Sequence, residues 1–89
     1  MIETDIQKSL QAIRDWTYRN DGIEKDYIFK SFAEALQFIN KVGSLAEKMN
    51  HHPDIINSYN KVKLRLTTHD VRTLTTKDFD LAQAIDSII

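Results

Sequence analysis

The chain has no cysteine, which rules out disulfides, thiolate metal sites and a cysteine nucleophile. It has only two glycines and one proline, so there is no glycine-rich loop to cradle a phosphate and no proline-rich linker. No apolar run approaches the roughly 20 residues that cross a bilayer. The start, Met1-Ile2-Glu3-Thr4-Asp5, lacks the basic residues and apolar stretch of a secretory signal, and a cytoplasmic location is expected. Charge of one sign is lacking too. Twelve basic and 13 acidic residues leave a net charge of −1, so nothing in the charge balance points to nucleic acid or a membrane surface.

What remains is 89 residues, 42% apolar and 28% charged, the balance of an ordinary globular protein. That length suits one domain over residues 1–89, and such a chain buries only about 60–65% of its unfolded surface.

Hydrophobic spacing predicts the order αββαββα. Ile2, Ile6, Leu10 and Ile13 recur at three and four residues, a short amphipathic helix that Thr4 or Asp5 can cap. Trp16-Thr17-Tyr18 and Ile23 to Lys30 flank the turn signal Asn20-Asp21-Gly22, a first hairpin. Ser31 with Glu34 forms a capping box for a long helix from Phe32 to Met49, with Gly43 expected as a close-packing position rather than a stop. Asp54 to Ser58 and the alternating run Lys61 to Thr68 make a second hairpin folding at Tyr59-Asn60, where asparagine suits the turn. Thr75 or Thr76 then caps a last helix, with Asp78 and Asp80 in its first turn. The expected fold is α+β: a four-stranded antiparallel sheet covered by helices on one face. Its open edges favour association between copies.

Three histidines carry the chemistry. His51 and His52 are adjacent, and His69 follows in Thr67-Thr68-His69-Asp70. Pro53 disfavours helical geometry at His52, so His51 is expected to close the long helix and His52 to lie outside it. Glu47 lies one helical turn before His51, where its carboxylate is expected to accept a hydrogen bond from that imidazole. A hairpin folding near Asn60 would bring His69 back beside the pair. Imidazoles, with an ordinary pKa near ~6.5, suit proton transfer at neutral pH.

Three histidines are a known zinc set. Adjacent ones reach one metal only with awkward backbone geometry, however, and there is no HExxH pattern. No metal or other cofactor is therefore expected. Without a nucleophile motif or phosphate loop, dehydration or isomerisation by general acid–base catalysis fits better than group transfer. The basic strand face Lys61, Lys63 and Arg65 reads as solvated. Trp16, Tyr18 and Tyr27 read as core or cross-strand pairs rather than a base-stacking platform.

The block Glu47-Lys48-Met49-Asn50-His51-His52-Pro53 resembles the pterin-4a-carbinolamine dehydratase family, also called dimerisation cofactor of a homeodomain transcription factor. So do Tyr59-Asn60-Lys61-Val62, Leu66 to Asp70, Leu74-Thr75 and Lys77-Asp78, with Ile28 to Phe32 and Phe38 upstream. The resemblance implies the αββαββα fold and homodimers or homotetramers. It also implies metal-free dehydration of 4a-hydroxytetrahydropterin to quinonoid dihydropterin, in recycling of a tetrahydrobiopterin-type cofactor. It places the catalytic histidines at His51, His52 and His69, with Glu47, Pro53 and Asp70 orienting or binding substrate. The alternative on the same fold is a non-enzymatic binding or assembly factor of transcriptional-coactivator type. Two positions depart from the pattern. Ile55 stands where animal members have tryptophan, and Thr73 where many members have glycine, so a differently built loop is expected after His69.

Overall fold

The computed structural model describes residues 1–89. Seven elements follow one another: α1 (Glu3–Leu10), β1 (Thr17–Arg19), β2 (Gly22–Ile28), α2 (Phe32–Met49), β3 (Asp54–Ser58), β4 (Lys61–Leu66) and α3 (Thr76–Ser87). The order is αββαββα, as the sequence pattern predicts. The two hairpins join through β2 and β4 into one antiparallel sheet of order β1-β2-β4-β3.

Alternation along β4 decides which face is covered. Val62, Leu64 and Leu66 are buried, while Lys61, Lys63 and Arg65 point away from the core. In β2 the residues opposite the buried three are Tyr27, Lys25 and Ile23, so Lys25 projects beneath the helices. The core unites this sheet face with Ile6, Trp16, Phe38, Val42 and Ile85.

The outer face is braced. The Arg65 guanidinium donates to Glu24 at 2.8 Å and to the carbonyls of Arg19 and Asn20 at 2.9 and 2.6 Å. It clamps the first turn, where Asn20 and Asp21 take the left-handed conformation that a two-residue hairpin loop requires. Gly22 leaves room for this clamp: a Cβ there would lie 2.6 Å from the guanidinium carbon and would push the Arg65 side chain aside.

Several local expectations change. α1 begins at Glu3 with Ile2 at its cap position, so Thr4 and Asp5 lie inside the first turn and cap nothing. It ends at Leu10. Ile13 is still buried, on the turn that follows. At α2, Ser31 Oγ accepts from the Glu34 backbone N–H at 3.1 Å, which is one half of the expected box. The helix runs through Gly43, but a Cβ there would meet nothing within 4 Å, so Gly43 packs against nothing in this chain. Ala35, Phe38, Val42 and Ala46 form the buried stripe, whereas Phe32, Leu36 and Met49 are exposed.

The second hairpin turns at Tyr59-Asn60, but Tyr59 holds the left-handed backbone, with φ 54°. Asn60 is instead tied to Phe29 by two hydrogen bonds of 2.8 and 2.9 Å. β3 is exposed along its whole length. No helix is long and apolar enough to cross a membrane.

Candidate active site

The end of α2 sets up the site. Asn50 adopts the left-handed conformation at φ 50°, ψ 44°, which asparagine tolerates better than most residues. Its N–H bonds to Glu47 O at 3.3 Å, and the N–H of His51 reaches Ala46 O at 3.1 Å. This is a Schellman closure. The helix therefore stops at Met49, so His51 follows it rather than closing it. The left-handed step turns the two imidazoles onto different partners.

His51 turns inward. Its side chain is 11% exposed, and Nε2 lies 2.6 Å from Asp78 Oδ1. Asp78 is fully buried. Its second oxygen accepts from Thr68 Oγ1 at 2.8 Å and from the Thr75 backbone N–H at 2.9 Å. Thr68 Oγ1 also lies 2.8 Å from Thr75 Oγ1. Thr68 spends its single proton on the carboxylate, so the Thr75 hydroxyl donates to Thr68.

His52 turns outward, and its Nε2 meets Glu47 Oε2. Glu47 thus holds His52 and not His51, because the left-handed Asn50 removes His51 from the helical face that Glu47 occupies. Both members of this pair are largely exposed, so its contribution is to orientation more than to stability.

His69 arrives from the other side. Thr68 and Thr73 form a bridge, with Thr68 N–H to Thr73 O at 3.1 Å. The loop between them is tightened by Val71 N–H to Thr68 O at 3.2 Å and Arg72 N–H to His69 O at 3.3 Å. The left-handed residue is Arg72, at φ 56°. Thr73 itself needs no unusual conformation, so glycine is not required there.

These elements enclose a polar depression of about 260 Å³ lined by eight residues, none hydrophobic. His51, His52 and His69 all line it, together with Asp70, Lys77 and Asn50. A groove of about 380 Å³ between Phe29, Phe38 and Ile88 contains no histidine. Pro53 is half-buried just ahead of β3 and does not line the depression. Glu47 borders a separate open groove with Gly43 and Ile55, so Ile55 sits over α2 rather than among the histidines. No group of three or more His, Cys, Asp or Glu side chains is arranged to hold a metal.

From the sequence, Asp78 is expected in the first turn of the last helix and within the block that resembles the family, with no role at the histidines. Its burial and its grip on His51 were missed. The available signal was Thr75-Thr76-Lys77-Asp78, where an acidic residue three positions after a capping threonine points back toward the preceding loop.

Residues 1–88 match the family model described as pterin 4 alpha carbinolamine dehydratase. A protein of Sulfurisphaera tokodaii, provisionally named pterin-4-alpha-carbinolamine dehydratase, is 42% identical over 89 residues, covering 100% of this chain and 96% of its own. A protein of Picosynechococcus with the same provisional name is 46% identical over 88 residues, covering 99% and 96%. The crystal structure of a transcriptional coactivator/pterin dehydratase from Brucella melitensis superposes with TM-score 0.94 at 30% identity, covering 99% of this chain and 96% of that one. A pterin dehydratase-like protein described as a RuBisCO assembly factor of the alpha-carboxysome shares the fold, at TM-score 0.67 and 19% identity over 82% of this chain and 84% of its own. The chain belongs to the pterin 4 alpha carbinolamine dehydratase family.

Proposed function

We propose that this member of the family dehydrates a 4a-hydroxytetrahydropterin to the quinonoid dihydropterin, acting in the cytoplasm in the recycling of a tetrahydrobiopterin-type cofactor. The observation that carries the reading is the convergence of His51, His52 and His69, from two separate loops, on one depression. In the reaction the C4a–O bond breaks, the departing hydroxyl takes a proton to become water, and N5 gives up its proton. One acid and one base therefore suffice, and positioned groups of this kind typically contribute about 10²–10⁴-fold.

His51 and His69 act as the acid–base groups. His52, oriented by Glu47, holds the ring or serves as the other proton carrier. Asp70 and the polar lining suit the hydrogen-bonding edge of a pterin. No metal takes part. The decisive experiment is to give purified protein enzymatically generated 4a-hydroxytetrahydropterin and follow quinonoid product. A rate no faster than the uncatalysed one would leave only a binding or assembly role.

The acting form is a homodimer or homotetramer. Phe32 and Leu36 are exposed on α2 with Ile39 and the open Gly43 alongside, and β3 offers an exposed edge. An apolar helix face and an unpaired strand edge of this kind are covered by association.

A further inference from the structure

We propose that Asp78 is a positioning residue that fixes His51 as the Nε2–H tautomer, so that Nδ1 is the atom through which His51 exchanges a proton with substrate. The catalytic half of this statement rests on the dehydratase reading. The tautomer does not.

The argument is a count of donors. Thr75 N–H can only donate, and it is directed at Asp78 Oδ2 at 2.9 Å. The Thr68 hydroxyl adds a second donor to the same oxygen at 2.8 Å. Oδ1 is left for His51 Nε2 at 2.6 Å. With Asp78 as the ionised partner, Oδ1 only accepts, and the proton of that contact belongs to Nε2. The tautomer of a histidine is set in this way by what its other nitrogen meets.

Nδ1 is left to work. It has no hydrogen-bond partner, and the one buried side-chain polar atom without a partner anywhere in the chain is the Tyr27 hydroxyl. Nδ1 therefore reaches solvent, on a residue that lines the depression. Neutral His51 presents a lone pair there and protonated His51 presents an N–H. The same atom can thus take either the acid or the base role, with His69 supplying the other. His52 has no comparable lock, because its partner Glu47 is 78% exposed.

Asp78→Asn reverses the polarity without changing the shape. The amide oxygen must stay facing Thr75 N–H, which turns the NH₂ toward His51. Nε2 then becomes the acceptor, and neutral His51 must carry its proton on Nδ1.

The test is long-range ¹H–¹⁵N NMR on histidine-labelled protein at a pH where His51 is neutral, with His51→Gln used to assign its signals. Wild type is expected to show Nε2 protonated and Nδ1 as the bare nitrogen. Wild type with the proton on Nδ1 overturns the proposal, and this measurement needs no variant of Asp78. Asp78→Asn is expected to swap the two nitrogens and to lower kcat about 10²–10⁴-fold, the cost of a misplaced tautomer, with KM little changed. A swapped tautomer with undiminished kcat overturns the assignment of Nδ1 as the working atom. If wild type dehydrates no pterin, the substrate reading fails while the tautomer is still decided by the spectrum.

Discussion

The ammonium of Lys25 lies 3.0 Å from Oδ1 of Asp86, 61 residues further along the chain. Asp86 also accepts from the Trp16 indole at 3.0 Å and from the Arg14 backbone N–H at 2.9 Å. This one carboxylate joins the segment entering β1, the middle of β2 and the end of α3. Burial alone would raise its pKa, but the bonds from Arg14, Trp16 and Lys25 outweigh burial and hold it below the usual carboxylate range.

A lowered native pKa stabilises the fold above the unfolded carboxylate's pKa of ~3.9, and that stability is lost as the pH falls through the native value. Asp86→Ala is expected to cost on the order of 3 kcal/mol at neutral pH, because it strands a partly buried ammonium. Urea unfolding should show the gap between wild type and variant closing in acid. A gap that stays constant down to about pH 2, below the unfolded carboxylate range, would contradict this account.

Tyr27 should respond in the opposite sense. Its ring packs on Phe38 with centroids 4.5 Å apart, while its hydroxyl is buried without a partner and burial pushes its pKa upward. Removing an unsatisfied buried hydroxyl and keeping the ring should gain about 1 kcal/mol. Thermal unfolding of Tyr27→Phe should therefore show a midpoint above that of wild type, and an equal or lower midpoint would contradict this account.

For the histidines, His51→Ala and His69→Ala should each slow dehydration, and the double variant should approach the uncatalysed rate. His52→Ala should raise KM as well as lower kcat if it holds the ring. None of the three should unfold the chain. His52 and His69 are exposed, so their variants should keep wild-type stability. His51→Ala leaves buried Asp78 Oδ1 without its partner, so it should stay folded by circular dichroism but melt at a lower temperature. A folded double variant with near-normal turnover would make the trio structural.

Because proton transfer by imidazole needs no Lewis acid, treatment with chelator should leave the dehydration rate unchanged. Activity that disappears with chelator and returns with one added divalent metal would replace this mechanism.

Assembly is open to a single substitution. Leu36 is 41% exposed on α2, so Leu36→Glu should leave the isolated chain folded. Light scattering should report at least a dimer for wild type at micromolar concentration and a smaller species for the variant. A monomeric wild type would remove the basis for the proposed interface.

The fold was readable because its signals are local and periodic. α2 and β4 repeat apolar residues at the spacing of a helix and a strand, and Asn20-Asp21-Gly22 marks a hairpin by its backbone requirements alone. The meeting of His69 with His51 and His52 followed from that topology. Partners were harder to read, since spacing places residues on a face but does not show where a left-handed residue breaks the face. Asn50 is such a residue, and it moves Glu47 from His51 to His52. Gly43 misled for a different reason: a glycine in an apolar stripe signals close approach, but the sequence does not say whether the approaching surface is in the same chain. Asp78 and Asp86 were hidden because acidic residues in a helix are ordinarily surface residues, and only tertiary packing makes these two the anchors of buried networks.

Those two carboxylates sit near opposite ends of α3, roughly 12 Å apart along its axis at 1.5 Å per residue. Helices normally fray from their ends. α3 is poorly placed to do so, because loosening its first turn uncovers Asp78 and loosening its last uncovers Asp86. Its amides should then exchange with deuterium only when the whole domain opens, at rates matching the most protected amides of β4, while the exposed strand β3 exchanges by smaller openings. The rigidity of the candidate pocket would in that case be inherited from global stability, and any change that weakens the fold at Asp86 would also be felt at His51.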